Sequence, residues 1–180
     1  MNDLSMHILD IVRNSVEANA NDIFVSMNLD AENFLTIKIE DNGRGMSPEF
    51  VKNVINPFVT TRTTRKVGMG LPLLKMSSEM TGGTLNIESE QGKGTVITVS
   101  FNMLHIDCIP LGNLGSVFSQ LLGGNPNINF LFNFVTIHDE FTLKSDEVWE
   151  MMSECGITQL KTMILIKDLI NENLKEIGIK

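Results

Sequence analysis

Leu35-Thr36-Ile37-Lys38-Ile39-Glu40-Asp41-Asn42-Gly43-Arg44-Gly45-Met46-Ser47-Pro48-Glu49 is the stretch from which the rest of the chain can be placed. Leu35, Ile37 and Ile39 alternate with polar residues, the period of a half-buried strand. Ser47, Pro48 and Glu49 supply an N-cap, a first-turn proline and a first-turn acid for a short helix. The two glycines therefore sit on a strand-to-helix turn. Upstream, Ile23 to Leu29 alternates in the same way, and Asp30 to Asn33 separates the two runs, which predicts an antiparallel pair. Further upstream, Leu4, Ile8, Ile11, Val12 and Val16 fall on one side of a helix spanning Leu4 to Ala20. His7, Asp10, Asn14 and Glu17 form a polar stripe on another side.

Downstream, Asn56 to Met69 has no clear period, and Thr60 to Lys66 is a polar, basic run that predicts a mobile loop. Leu71 to Met80 predicts a helix that Gly82-Gly83 ends, followed by strands at Thr84 to Glu90 and Thr95 to Phe101 around Gln91-Gly92-Lys93-Gly94. The expected fold class is α+β, a two-layer α/β sandwich with helices over a mixed sheet. Residues 1–102 carry this pattern, and residues 103–180 form an acidic C-terminal α+β extension. The extension holds Lys144, Lys161, Lys167, Lys175 and Lys180 against twice as many acids. It predicts a glycine-punctuated helix, a phenylalanine-rich strand over Asn129 to Ile137, and helices near Ser145 to Glu154 and Thr158 to Ile177. Phe130, Phe132 and Phe134 are expected to be buried strand residues.

The chain has 180 residues, a net charge of -8 and 42% hydrophobic residues, which excludes a mainly disordered, collagen-like or coiled-coil protein. The pI near 4.8 argues against non-specific binding to nucleic acid or an anionic membrane. Two cysteines are too few for a disulfide scaffold, and no Cys/His spacing suggests structural zinc. No apolar run reaches the ~18 residues of a membrane span, and no secretory leader is evident, so the expected location is cytoplasmic.

Asp10 and Asn14 lie one helical turn apart, so their side chains can serve one site. An Asn carbonyl can ligate magnesium, and a carboxylate can orient or deprotonate a water. Asp41-Asn42-Gly43-Arg44-Gly45 lacks the further acids of a calcium loop. From Phe50 to Ser78 the chain contains Lys52, Arg62, Arg65, Lys66 and Lys75 but no acid, a local reversal of sign that suits a polyanion. Gly68-Met69-Gly70 opens a helix, where bare backbone NH groups can approach phosphate oxygens.

In this order the motifs resemble those of the ATP-binding domain shared by histidine kinases, gyrase, mismatch-repair MutL proteins and heat-shock chaperone ATPases, the GHKL or Bergerat fold. The N-box is matched by Asp10-Ile11-Val12-Arg13-Asn14-Ser15-Val16-Glu17-Ala18. The first glycine box is matched by Asp41 to Met46, and the second by Gly68-Met69-Gly70-Leu71. Pro57-Phe58-Val59-Thr60-Thr61-Arg62 is similar to the lid entrance of sensor kinases, and Gly92-Lys93-Gly94-Thr95 to the closing hairpin. The resemblance covers residues 1–102. It implies ATP and Mg2+ as cofactors, Asn14 as the magnesium ligand, Asp41 as acceptor for the adenine amino group, and Thr95 as support for the base. Gly43, Gly45 and Met46 would pass close to the nucleotide. Gly68, Gly70 and the basic lid residues, Arg62 foremost, would hold its phosphates, Thr60, Thr61, Met69 and Leu71 would also contact the nucleotide, and Asp10 would be the catalytic carboxylate.

A sensor kinase needs a phosphoacceptor histidine on a helical hairpin ahead of the ATP domain, whereas here the N-box begins within ten residues of Met1. His7, two turns before Asn14, is expected to line the site or pack beside it. Ala18 stands where many sensor kinases have a second Asn, so the N-box is closer to mismatch-repair ATPases and the lid to kinases. Three functions follow from the resemblance. One is a protein kinase, for histidine or serine, that phosphorylates or regulates a partner in trans. The second is a slow ATPase whose lid closure switches a partner. The third is a non-catalytic nucleotide-binding module. Partners are therefore ATP or ADP and a protein, without nucleic acid or membrane, and the extension could dock that protein or form a homodimer.

Overall fold

The computed structural model describes residues 3–55, 70–156 and 158–179. Helix α1 (Leu4–Glu17) starts on Asp3, whose side chain accepts from the Met6 amide at 2.9 Å. It is followed by β1 (Asp22–Leu29), β2 (Phe34–Asp41), α2 (Pro48–Val54), α3 (Gly70–Met80), β3 (Leu85–Glu90) and β4 (Gly94–Asn102). The turn signals hold: Ser47 caps α2 by accepting from the Phe50 amide, with Pro48 at the first position. The C-terminal part adds α4 (Leu114–Gly124), β5 (Asn129–Thr136), β6 (Glu140–Lys144), α5 (Ser145–Cys155) and α6 (Gln159–Glu176).

All six strands form one mixed sheet in the order β3-β4-β2-β1-β5-β6. β1 and β2 are antiparallel as expected, and β5 runs parallel to β1, with Val25 opposite Phe132. The C-terminal part therefore continues the sheet of the first hundred residues through β5 and β6. It also closes the start of α1, where the Leu4 and Ser5 amides donate to the Pro110 and Leu111 carbonyls at 2.9 Å each. The strand β6 has no counterpart in the sequence reading. It has five residues, and only Phe141 and Leu143 mark its inward face.

Alternation decides which face carries the core. Ile23, Val25 and Met27 of β1, Leu35, Ile37 and Ile39 of β2, Ile97, Val99 and Phe101 of β4, and Phe130, Phe132 and Phe134 of β5 are all buried. Phe118 of α4 joins them, its ring 4.2 Å from that of Phe132. Leu4, Ile8, Ile11 and Val12 of α1 enter the same core. Continuing the β2 period of two past Ile39 brings Asp41 to this inner face. A carboxylate thus ends an apolar row, beneath the C-terminal half of α1.

Candidate nucleotide site

Asp41 is only 9% exposed, and both its oxygens are engaged. Oδ2 accepts from the Ser15 hydroxyl at 2.6 Å, and Oδ1 accepts from the Gly43 amide at 2.9 Å. These bonds fix the carboxylate plane while leaving further lone pairs on each oxygen. Ser15 follows Asn14 on α1, so the helix sets the distance between the exposed Asn14 side chain and the buried acid.

The turn after Asp41 is pinned to its surroundings. The Arg44 amide donates to the Ala18 carbonyl at 2.9 Å, closing the turn against the end of α1. Asn42 Oδ1 accepts from the Asn21 and Asp22 amides at 2.9 and 3.0 Å, tying it to the start of β1. Gly43 and Gly45 have reasons within the chain itself. A Cβ at Gly43 would lie 2.9 Å from the Ala18 Cβ. One at Gly45, where φ is +63°, would lie 2.0 Å from the Glu90 carbonyl oxygen.

On the opposite wall, the Ser89 hydroxyl donates to the Gly94 carbonyl at 2.8 Å and accepts from the Met46 amide at 2.8 Å. Its only proton is thereby used, so the Thr95 hydroxyl, 2.9 Å away, must be the donor to Ser89. Thr95, the register partner of Asp41 on β4, then offers only acceptor lone pairs to other groups. Two neighbouring acceptors are therefore fixed at the end of the sheet.

Between these walls lies a cavity of about 260 Å³. Asn14, Asp41, Gly45, Met46, Leu71 and Thr95 line it, six of the residues expected from sequence, together with apolar Ile11, Val54 and Ile97. Gly43 stands behind Asp41, and Gly70 opens α3 next to Leu71. Asp10 is half-buried one turn before Asn14 and does not line this cavity. Thr60, Thr61, Arg62, Gly68 and Met69 lie outside the described residues. Ser15 and Ser89 are the residues that sequence reasoning missed, since their partners lie on other elements; Ser15 sat inside the N-box with no role attached.

His7 does not continue the polar stripe at the surface. It is 2% exposed, its Nδ1 has no hydrogen-bond partner among the described residues, and burial holds its imidazole below the ordinary range. Among the described residues, no group of three or more His, Cys, Asp or Glu side chains could hold a metal ion.

Residues 2–105 match the family of histidine kinase-, DNA gyrase B- and HSP90-like ATPases, and the chain belongs to that family. It is 34% identical over 94 residues to sporulation kinase D of Bacillus subtilis, and 32% identical over 104 residues to an NtrY-like sensor histidine kinase of Rickettsia bellii. These alignments cover 52% and 57% of the chain but only 18% and 17% of the relatives, so the chain spans less than a fifth of their length. The crystal structure of the N-terminal domain of a DNA repair protein shares the fold, with a TM-score of 0.56 at 20% identity over 79% of this chain and 52% of that one. Among the described residues no helix is long and apolar enough to cross a membrane.

Proposed function

We propose that the cavity binds ATP and that the bound nucleotide is used to phosphorylate or regulate a partner protein in trans. The observation that carries the nucleotide reading is Asp41, a buried carboxylate held at the end of an apolar row by Ser15 and Gly43. Such a group accepts a hydrogen bond from the adenine amino group, whereas guanine would present a carbonyl and be repelled. The apolar lining from Ile11, Val54 and Ile97 suits the faces of a purine ring.

The donor set fits magnesium only in company with a triphosphate. Asn14 would give one carbonyl oxygen, and phosphate oxygens and water would complete the octahedron that this ion prefers. Bound there, magnesium would neutralise the phosphate charge. Gly70 at the start of α3, with Gly68, Met69, Thr60, Thr61 and Arg62, would complete phosphate binding. The assignment of the last five rests on the sequence motifs.

Asp10 favours a second reading, a slow ATPase that switches its partner, because a carboxylate one turn from Asn14 can serve as general base toward water. Labelled ATP incubated with the protein, alone and with the products of neighbouring genes, separates the outcomes. Label on a partner supports transfer, free phosphate supports hydrolysis, and neither supports a binding module. Asp10→Asn should cut hydrolysis by about 10²–10⁴-fold if the carboxylate is the base. Transfer to an imidazole, already a nucleophile, should change far less. Hydrolysis at the unaltered rate in Asp10→Asn would remove the base assignment.

A further inference from the structure

Asp41, Thr95 and Ser89 stand level with one another on three adjacent strands. Thr95 of β4 is the register partner of Asp41 on β2 and of Ser89 on β3. The row lies two residues from the paired Ile39, Ile97 and Ile87, so all three side chains point to the inner face of the sheet. Asp41 and Thr95 line the nucleotide cavity, whereas Ser89 does not. Ser89 can therefore act on a ligand there only through Thr95.

The direction of each hydrogen bond in this row is decided by its fixed ends. The Met46 amide can only donate and the Gly94 carbonyl can only accept, and both lie 2.8 Å from the Ser89 hydroxyl. Ser89 thus gives its one proton to Gly94. The Thr95 hydroxyl, able by itself to act either way, is left to donate to Ser89 at 2.9 Å. Asp41 is held from the other side by donors at Ser15 and Gly43. Facing side chains on neighbouring strands have Cβ atoms about 4.5–5.5 Å apart, close enough for both acceptors to meet one edge of a flat ligand. Adenine presents an amino group with two protons at such an edge, and hypoxanthine has a carbonyl in its place.

We propose that Ser89 is a positioning residue for base selection: by taking up the Thr95 proton it keeps Thr95 an acceptor, so that this wall rejects a 6-oxopurine alongside Asp41. The proposal rests on the nucleotide reading of the cavity. Calorimetric titration of the full chain with ATP and with ITP, which differs from ATP only at that edge, tests it in the presence of magnesium. The unaltered chain should prefer ATP by about 100-fold or more. Ser89→Ala releases the Thr95 proton, which can then be given to a carbonyl. ATP should bind more weakly, ITP more tightly, and the preference should narrow roughly tenfold. Ser89→Thr, which restores the hydroxyl, should keep the unaltered ratio. A loss of packing alone would weaken both nucleotides alike and leave the ratio where it was. Thr95→Val, which keeps the shape and removes the hydroxyl, should weaken ATP about fivefold and not ITP, whatever the folding of Ser89→Ala. An unaltered ratio in Ser89→Ala, a ratio lowered equally by Ser89→Thr, or equal losses for both nucleotides in Thr95→Val would overturn the role of Ser89 alone. Absent ATP binding, or equal affinities in the unaltered chain, would overturn it together with the nucleotide reading.

Discussion

The two ends of the sheet are held in different ways. Around β2 and β4 the chain is closed by polar ties between neighbouring segments: Ser15 to Asp41, Arg44 to Ala18, Asn42 to Asn21, and Ser89 to Met46. Around β5 the ties are rings, with Phe118 against Phe132 and Phe134, and Phe130 stacked on Phe132. Hydrogen bonds are directional, so the first end can hold a carboxylate and a hydroxyl in fixed orientation. Ring packing is not directional in that sense, and its contribution is mainly stability. One half of the sheet thus holds polar groups in fixed orientation, and the other is held together by ring packing.

Substitutions should respect that division. The largest effect on stability should come from Phe132→Ala, which empties a fully buried ring position and should cost about 3–5 kcal/mol in chemical denaturation. Adenine nucleotide affinity, measured where the variant is still folded, should stay within about twofold, a difference of ~0.4 kcal/mol. A large loss of affinity in the folded variant would show that the two ends are coupled.

Ser15→Ala should have the reverse signature. It removes the hydroxyl that orients Asp41, and the expected loss is about 1 kcal/mol of nucleotide binding, or roughly fivefold in Kd. Calorimetric titration checks this. An unchanged Kd would mean that the Gly43 amide alone is sufficient to aim the carboxylate.

The smallest effect concerns His7. Because burial lowers its pKa in the folded chain, the unfolded chain binds more protons once pH falls below about 6.5. The contribution of His7 is complete above that value and is lost as pH falls through the lowered pKa. Urea midpoints should therefore decline between neutral and mildly acidic pH, and His7→Leu should reduce the slope. An identical slope in the variant would assign the decline to other groups.

Much of this was legible in the sequence because the signals are local. Alternation in Leu35 to Ile39, the cap at Ser47 and the glycines at 43 and 45 each depend on a few adjacent residues, and the elements form there. The cavity residues Asn14, Asp41, Thr95 and Leu71 were legible through their motifs. What was hidden depends on distant partners. Nothing near Asn129 says that β5 will lie parallel to β1, more than a hundred residues earlier, and β6 offers only two inward residues. His7 reads as part of a polar stripe by helical period, yet it is buried by its surroundings in the fold. The glycines were expected to make room for a ligand, and they also make room for Ala18 and Glu90 of the chain itself.

Asp41 is the group proposed to select adenine. Calorimetric titration with ATP and GTP in the presence of magnesium, on the unaltered chain and on Asp41→Asn, tests this directly. ATP should bind, GTP should bind little or not at all, and ATP should lose about 1.5–3 kcal/mol when a charged hydrogen bond becomes a neutral one. Equal affinity for the two nucleotides, or unchanged ATP binding in Asp41→Asn, would contradict this assignment.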